Sequence, residues 1–192
     1  MSTPPIPQRD STALIRHGRT RWNAERRLQG RADLPLDEEG HREALAAALA
    51  LAGDPWTRVV CSPLVRARRT AEIVAAELGL PAPALEPLLL ERDYGDAEGV
   101  PVDEALHRWP DGAYPGGETA DELTARSGPA LALLATPGTV IVGHGAFLRS
   151  GIAVLTGRPF PRIANGEVVV LEAAEGRVRA VGLSPERSAA SR

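Results

Sequence analysis

A chain of 192 residues, 43 % of them hydrophobic and 24 % charged, is long enough to form one globular domain with a substantial core. The formal net charge of −3 and the isoelectric point near 5.8 give no electrostatic reason to expect nucleic acid or an anionic membrane as a partner. All 22 basic residues are arginine, which excludes a phosphate-binding loop lysine and a pyridoxal Schiff-base lysine.

The predicted elements alternate between strands and helices. In chain order they are a strand at 12–16, a polar loop at 19–36, a helix at 37–52, a strand at 58–61, a helix at 63–78, a weak strand at 84–90, a glycine- and proline-rich segment at 91–117 with a short helix at 102–109, a helix at 119–134, a strand at 139–143, a helix at 146–156, and strands at 167–171 and 177–183 joined by a turn at Glu175-Gly176. This order predicts an α/β fold: a three-layer α/β/α sandwich with a mainly parallel sheet and an antiparallel C-terminal edge hairpin.

The ends of the chain and its one cysteine indicate the environment. The polar ends at 1–11 and 184–192 predict disordered tails around a single domain at 12–183. No apolar run reaches the roughly 20 residues of a membrane helix, and the N-terminus lacks the basic and apolar regions of a signal peptide. We therefore expect a cytoplasmic protein. Cys61 precedes Arg66 by five positions, unlike the Cys-x5-Arg loop of tyrosine phosphatases, and is expected to be a buried core residue.

Two of the predicted strands run into the same dipeptide, His-Gly. The first run continues into Arg16-His17-Gly18 and the second into Gly143-His144-Gly145. In open α/β sheets, ligands bind beyond the carboxyl ends of parallel strands. Two imidazoles at that edge, one preceded by an arginine, predict a site for an anion and a nucleophile, although an isolated histidine after a strand is more often structural.

A second cluster follows the next predicted strand. Arg66 lies in the first turn of the helix that Pro63 is expected to open, and it would face the same sheet edge. The planar guanidinium fork matches two phosphate oxygens at once. The candidate ligands of a single phosphoryl group are therefore Arg16, Arg66, Asn23 and His144, unless Arg66 is an ordinary surface residue like Arg68 and Arg69.

Five motifs together resemble the histidine phosphatase superfamily, also called the phosphoglycerate mutase-like family. They are Arg16-His17-Gly18 with Trp22-Asn23, Ser62-Pro63-Leu64 through Arg66-Ala67, Leu90-Glu91-Arg92-Asp93-Tyr94-Gly95 running to Glu98-Gly99, Gly117-Glu118-Thr119, and Val142-Gly143-His144-Gly145. Any one of them is weak evidence, but they occur in the family's order across residues 12–145.

The resemblance implies a metal-independent phosphomonoester hydrolase that acts on a small phosphorylated metabolite and needs no cofactor. His17 would attack phosphorus, while Arg16, Arg66 and His144 would hold the phosphoryl oxygens. Glu91 would act as general acid and then as general base, with Glu86, Glu98 and Glu118 as competing candidates. Further candidates for phosphate or substrate binding are Asn23, Gln29, Gly30, Arg92, Tyr94 and Gly145.

Two departures from the family pattern bear on the substrate and the reaction. Arg19 stands where Glu or Gln is common in the family, and it either favours a second anionic group on the substrate or faces solvent. The second departure is Asp93, which replaces the histidine of the mutases' Glu-Arg-His-Tyr-Gly in the otherwise matching segment Glu91–Gly95. In the mutases the arginine and tyrosine of this motif help to hold phosphoglycerate.

The segment at 91–117 is much shorter than the mutase insertion that shields the phosphoenzyme, which favours a phosphatase over a cofactor-dependent mutase. A catalytically dead phospholigand-binding domain would be expected to have lost His17, Glu91 or Arg66, and all three are present. The oligomeric state is left open, with a homodimer as one alternative.

Overall fold

The structure, a computed structural model, describes residues 11–174 and 177–183. Within these ranges the chain forms one six-stranded sheet, whose strands are β1 (Ser11–Arg16), β2 (Arg58–Cys61), β3 (Ala84–Leu85), β4 (Thr139–Gly143), β5 (Val168–Ala174) and β6 (Arg177–Leu183). The order across the sheet is β3-β2-β4-β1-β5-β6. The first four of these are parallel, whereas β5 runs antiparallel to β1 and β6 antiparallel to β5. The predicted mainly parallel sheet with an antiparallel hairpin at its C-terminal edge is confirmed.

Helices cover both faces of the sheet. The described helices are α1 (Arg21–Ala24), α2 (Glu38–Leu51), α3 (Val65–Glu77), α4 (Val102–Arg108), α5 (Ala120–Leu134) and α6 (Gly145–Thr156). Alternate strand residues enter different clusters: Ala13 and Ile15 pack with residues of α2 and α3, whereas Leu14 packs with residues of α5 and α6. This confirms the predicted α/β/α sandwich. No described helix combines the length and the hydrophobicity needed to cross a membrane.

Several predicted boundaries differ from the structure. The weak strand at 84–90 is only two residues long, and Pro87 then begins a 3₁₀ turn that ends at Leu89, because proline has no N–H group to donate to a sheet. Helix α3 begins at Val65 rather than at Pro63, and Asp33 Oδ1 accepts the Val65 amide at 2.7 Å.

Strand β1 begins at Ser11, one residue inside the predicted tail. The rest of the predicted disordered tails, at 1–10 and 184–192, and the turn at Glu175-Gly176 lie outside the described residues. Cys61 is buried in the core as expected, and burial raises the pKa of its thiol to about 12.

The position of the site follows from the pairing of β1 with β4. Arg16 stands opposite Gly143 in the register, so His17 and His144 leave the sheet at the same edge, and the His17 amide donates to the Gly143 carbonyl at 3.0 Å. Gly18 turns the chain tightly past the start of α2, where a Cβ would clash with the Gly40 carbonyl. A side chain at Gly18 would therefore displace the segment that carries His17.

Candidate active site

A cavity of about 410 Å³ opens at this edge of the sheet. The candidate residues that line it are Arg16, His17, Asn23, Gln29, Gly30, Arg66, Glu91, Tyr94 and Gly145. His144 lies behind this wall, with its ring centroid 5.1 Å from that of His17. The candidates come from four separate stretches of the chain, and the structure brings nearly all of them together.

His17 is held in one orientation and in its neutral form. Its Nδ1 atom lies 2.7 Å from the Gly18 carbonyl oxygen, and its Nε2 atom accepts a hydrogen bond from Arg66 Nε at 3.2 Å. Because a carbonyl only accepts and the guanidinium only donates, the network assigns the proton to Nδ1 and the lone pair to Nε2. Burial, followed by the charges of Arg66 and Arg16, lowers the pKa of His17 well below its ordinary value of 6.5.

Arg66 is fixed on all sides of its guanidinium group. Besides its bond to His17, it donates to the Ala32 carbonyl at 2.7 Å and to the Gly30 carbonyl at 2.6 Å. Gln29 joins this network when its amide nitrogen faces Thr20 Oγ1, since its oxygen then lies 3.0 Å from Arg66 Nη1. Gly30 has a φ of 53°, and a Cβ there would clash with the carboxylate of Glu98. Gln29 and Gly30 therefore position Arg66 as well as lining the cavity.

Arg16 has donor capacity that the protein does not use. Its Nη1 donates to the Ile163 carbonyl at 2.7 Å, whereas its buried Nε has no partner among the described residues. A Cβ at Gly145 would lie 3.2 Å from that Nε, so the glycine leaves room beside it. Burial lowers the pKa of Arg16, and the nearby charge of Glu91 opposes the shift. An unpaired buried donor on a cation is costly and indicates a place for an anion.

His144 is completely buried and, like Arg16, has a buried nitrogen without a hydrogen-bond partner among the described residues. Its Nε2 lies 2.8 Å from Ser62 Oγ, and its Nδ1 has no partner in the described part of the chain. Ser62 Oγ accepts from the Leu64 amide at 3.4 Å, and when its hydroxyl donates to His144 Nε2 the histidine proton lies on Nδ1. Burial first, and then the charges of Arg66 and Arg16, lower the pKa of His144 well below 6.5. Ser62 was part of a recognised motif, but its sequence context did not reveal this role.

The Glu91 carboxylate caps the N-terminus of α6. It accepts from the amides of Ala146 at 3.0 Å, Phe147 at 2.9 Å and Arg92 at 2.8 Å. The Glu91 carbonyl accepts from Arg126, which is itself paired with Glu118. These three amide donors hold the carboxylate in one place beside the cavity.

The competing acidic residues are engaged elsewhere. Glu98 accepts from the amides of Arg31 and Ala32, and Glu86 caps the 3₁₀ turn that Pro87 begins. Burial acts to raise the pKa of Glu118, but the hydrogen bond and charge of Arg126, together with the Asp93 amide and the charge of Arg31, lower it. Of the four candidates, Glu91 is the one that lines the cavity.

The remaining candidates divide into those at the cavity and those away from it. Asn23 lines the cavity, and its Oδ1 accepts from Thr20 and from Asn165, whose Nδ2 also donates to the His17 carbonyl. Tyr94 lines it too, and burial raises the pKa of its hydroxyl.

Two further arginines do not reach the cavity wall. Arg92 donates instead to the carbonyls of Glu118 and Gly112, so the structure gives it a place in the 91–117 segment rather than against a substrate. Arg19 pairs with Asp37 at 2.8 Å and does not line the cavity, which corresponds to the solvent-facing alternative.

Several lining residues were not expected from the sequence. They are Arg26, Arg27, Leu28, Val102, Leu106, Ala146, Arg149, Arg162 and Ile163. Arg149 follows Gly145 by four residues on α6, so helical periodicity was the available signal. Arg162 lies in an irregular connection, and no local pattern marks it.

The described residues contain no group of three or more His, Cys, Asp or Glu side chains that could hold a metal ion. The cavity is lined by guanidinium groups, the imidazole of His17 and one capped carboxylate, and the imidazole of His144 lies directly behind that of His17. These groups suit a phosphoryl group, because they combine anion donors with a neutral nucleophile and an acid–base group.

Comparisons with known proteins agree with this chemistry. The family model described as "Histidine phosphatase superfamily (branch 1)" matches residues 12–184. A Bacillus subtilis protein named "Uncharacterized phosphatase PhoE" is 41 % identical over 77 % of this chain and 78 % of its own length. "Probable phosphoglycerate mutase GpmB" of Cronobacter sakazakii is 38 % identical over 76 % and 74 %. The solved structure of Bacillus stearothermophilus YhfR covers 91 % of this chain and 98 % of its own with a TM-score of 0.77 and 27 % identity.

The lowered pKa of His144 predicts a specific pH dependence of stability. As pH falls below the ordinary value of 6.5, the unfolded chain takes up a proton at His144 that the folded chain does not, so folding is weakened. Relative to a His144→Asn variant, the wild type should lose roughly 2 kcal/mol of unfolding free energy between pH 7.5 and pH 5.0. Urea unfolding at both pH values measures this. His107→Asn, at an exposed position, should lose as much unfolding free energy as the wild type between the two pH values. An equal loss in His144→Asn and in the wild type would contradict the burial argument.

Proposed function

The chain belongs to branch 1 of the histidine phosphatase superfamily, and on that basis we propose that it is a metal-independent phosphomonoesterase that acts on a small phosphorylated metabolite through a phosphohistidine at His17. The observation that carries the proposal is the state of His17. The ring keeps its proton on Nδ1, against the Gly18 carbonyl, and presents the Nε2 lone pair beside Arg66. A neutral imidazole fixed in this tautomer is prepared to attack phosphorus.

The buried donors around His17 would stabilise the transferred phosphoryl group. Arg16 Nε and His144 Nδ1 lack partners among the described residues, and Arg66 Nε would exchange its contact with His17 for one with a phosphoryl oxygen. These donors are in place before the substrate binds, so little reorganisation is needed as charge spreads over the phosphoryl oxygens. In this mechanism the guanidinium groups neutralise charge, and no step requires a metal ion.

Glu91 would handle the protons of both half-reactions. The charge of an arriving phosphate favours protonation of this carboxylate, which then donates its proton to the leaving alkoxide. After the alcohol departs, the carboxylate form takes a proton from the water that attacks phosphohistidine. Capping by the amides of Ala146, Phe147 and Arg92 keeps the carboxylate in one place through both steps.

Replacing the nucleophile tests the central claim. His17→Ala should lower phosphomonoesterase activity by a factor on the order of 10⁴ or more and abolish the acid-labile phosphoenzyme that a labelled substrate forms. His41→Ala, at an exposed position on α2, should retain both. Excess chelator should leave wild-type turnover unchanged, whereas a requirement for an added divalent ion would contradict the mechanism.

Leaving-group dependence tests the role of Glu91. With Glu91→Gln, phosphoryl transfer from an alkyl phosphate should fall by about 10²–10⁴-fold, because the alkoxide needs a proton. A nitrophenyl phosphate should lose much less in that step, because nitrophenolate departs without one. Single-turnover kinetics of both substrates measure the difference.

Glu98→Gln is the matched control for this experiment. Glu98 also accepts two backbone amides but lies outside the cavity wall, so its substitution should affect both substrates equally. Equal losses for the two substrates with Glu91→Gln would show that Glu91 is not the general acid.

Phosphoglycerate mutase-type transfer is the alternative function, and the GpmB relative supports its consideration. Such transfer requires the phosphoenzyme to survive until the acceptor reorients, which a dry and closed site provides. In this chain the 91–117 segment contributes Glu91, Tyr94 and two residues of the short helix α4 to the cavity wall, and Leu106 on that helix is 55 % exposed. Access for water at this wall favours hydrolysis.

A product analysis separates the two reactions. Incubation with 3-phosphoglycerate and 2,3-bisphosphoglycerate should release inorganic phosphate faster than 2-phosphoglycerate forms, because water reaches phosphohistidine at His17. Chromatography of both products over time measures the ratio. Rapid isomerisation with negligible phosphate release would establish the mutase function instead.

A further inference from the structure

Six arginines line the cavity, and they differ in whether their charge is balanced. Arg26 is paired with Asp103 at 3.1 Å, and Arg27 with Glu25 at 2.8 Å. Arg16 and Arg66 belong to the phosphoryl site described above. The other two are Arg149 and Arg162, for which the mechanism has no use.

The lack of partners is unusual in this molecule. Among the arginines at 11–172, whose side chains the structure describes, only three have a guanidinium group without a hydrogen bond, ion pair or ring contact to another described residue: Arg149, Arg158 and Arg162. Two of these three line the cavity. Since most arginines of this chain have partners, the two lining residues indicate an external anion rather than random surface charge.

Local structure places both side chains at the rim. Arg149 lies one turn after Gly145 on α6, so it shares the helix face that borders the cavity. Arg162 precedes Ile163, whose carbonyl is held by Arg16 at 2.7 Å. Both side chains are exposed, and their charges reach the cavity wall, since Arg162 contributes to the lowered pKa of Arg16 and Arg149 opposes the raised pKa of Tyr94.

The charge balance leads to the same conclusion. With Arg26 and Arg27 compensated, four guanidinium groups face one carboxylate, that of Glu91. A phosphomonoester dianion would neutralise two of the three remaining positive charges and leave one. The cavity also has apolar side chains at Leu28, Val102 and Leu106, which suit a carbon skeleton between two charged groups.

We propose that Arg149 and Arg162 form a second anion subsite, and that the preferred substrates are phosphomonoesters whose organic part carries another anionic group, either a carboxylate or a second phosphate. This proposal rests on the proposed function, because it takes the transferred phosphoryl group to lie on His17. The sequence suggested that Arg19 could favour a second anionic group on the substrate, but Arg19 is paired with Asp37. The subsite of Arg149 and Arg162 takes that role instead.

Matched pairs of substrates test the subsite. Carboxyalkyl phosphates with one to four methylene groups are each compared with their primary amides, which have the same shape without the charge. Alkyl bisphosphates of the same lengths are compared with the matching hydroxyalkyl phosphates, which separates carboxylate from phosphate as the second anion. At least one charged member should have a kcat/KM about tenfold above its neutral partner, mainly through a lower KM.

Substitutions then assign the preference to residues. In the Arg149→Gln/Arg162→Gln double variant the ratio of kcat/KM within a pair should fall to near one. Arg158→Gln, which removes an equally unpartnered and exposed guanidinium away from the cavity, should keep the wild-type ratio. A ratio near one for every pair in the wild type, or a wild-type ratio in the double variant, would overturn the subsite.

A binding measurement separates this proposal from the proposed function. Calorimetric titration of the His17→Ala protein with the same pairs reports the preference for the second anion without turnover. A preference in binding that Arg149→Gln/Arg162→Gln abolishes, together with no His17-dependent hydrolysis by the wild type, would support the subsite and overturn the phosphatase mechanism. Hydrolysis without any preference in binding would overturn the subsite alone.

Discussion

The Arg66 guanidinium joins three separate parts of the chain. It extends from α3, donates to the carbonyls of Gly30 and Ala32, and contacts Nε2 of His17, while its residue is only 1 % exposed. Burial lowers its pKa to about 10, so it stays charged at neutral pH. Burying a cation costs several kcal/mol unless its donors are satisfied, and here carbonyl oxygens satisfy them without neutralising the charge. The positive charge thus remains available to an anion.

The same cations control the nucleophile. The charges of Arg66 and Arg16 add to burial in keeping His17 neutral, and neutrality is what nucleophilic attack requires. One electrostatic arrangement therefore attracts the phosphate and keeps the attacking nitrogen unprotonated. Glu91 offsets only part of this positive charge, and its carboxylate is held in place by the amides at the start of α6 and by that of Arg92.

How much of the site could be predicted depended on the kind of signal. His17 and His144 follow buried strands, and parallel strands end at one edge, so their proximity could be inferred before the structure was known. Arg92 carried a local motif, yet its guanidinium holds two carbonyls of the 91–118 region. Arg162 carried no motif and nonetheless lines the cavity. A motif specifies which residue type is present, whereas the path of an irregular segment decides where its side chain lies.

The sequence by itself determined the α/β/α architecture and the set of chemical groups, because hydrophobic periodicity and residues at strand ends are local properties. Only the tertiary structure decided which charges are compensated. Asp37 pairs with Arg19, and Glu25 and Asp103 pair with arginines at the cavity, whereas Arg149 has no such partner among the described residues. The Arg19–Asp37 and Arg26–Asp103 pairs require side chains from distant segments to approach within a few ångströms. That distance depends on the packing of the whole chain, which no local pattern records.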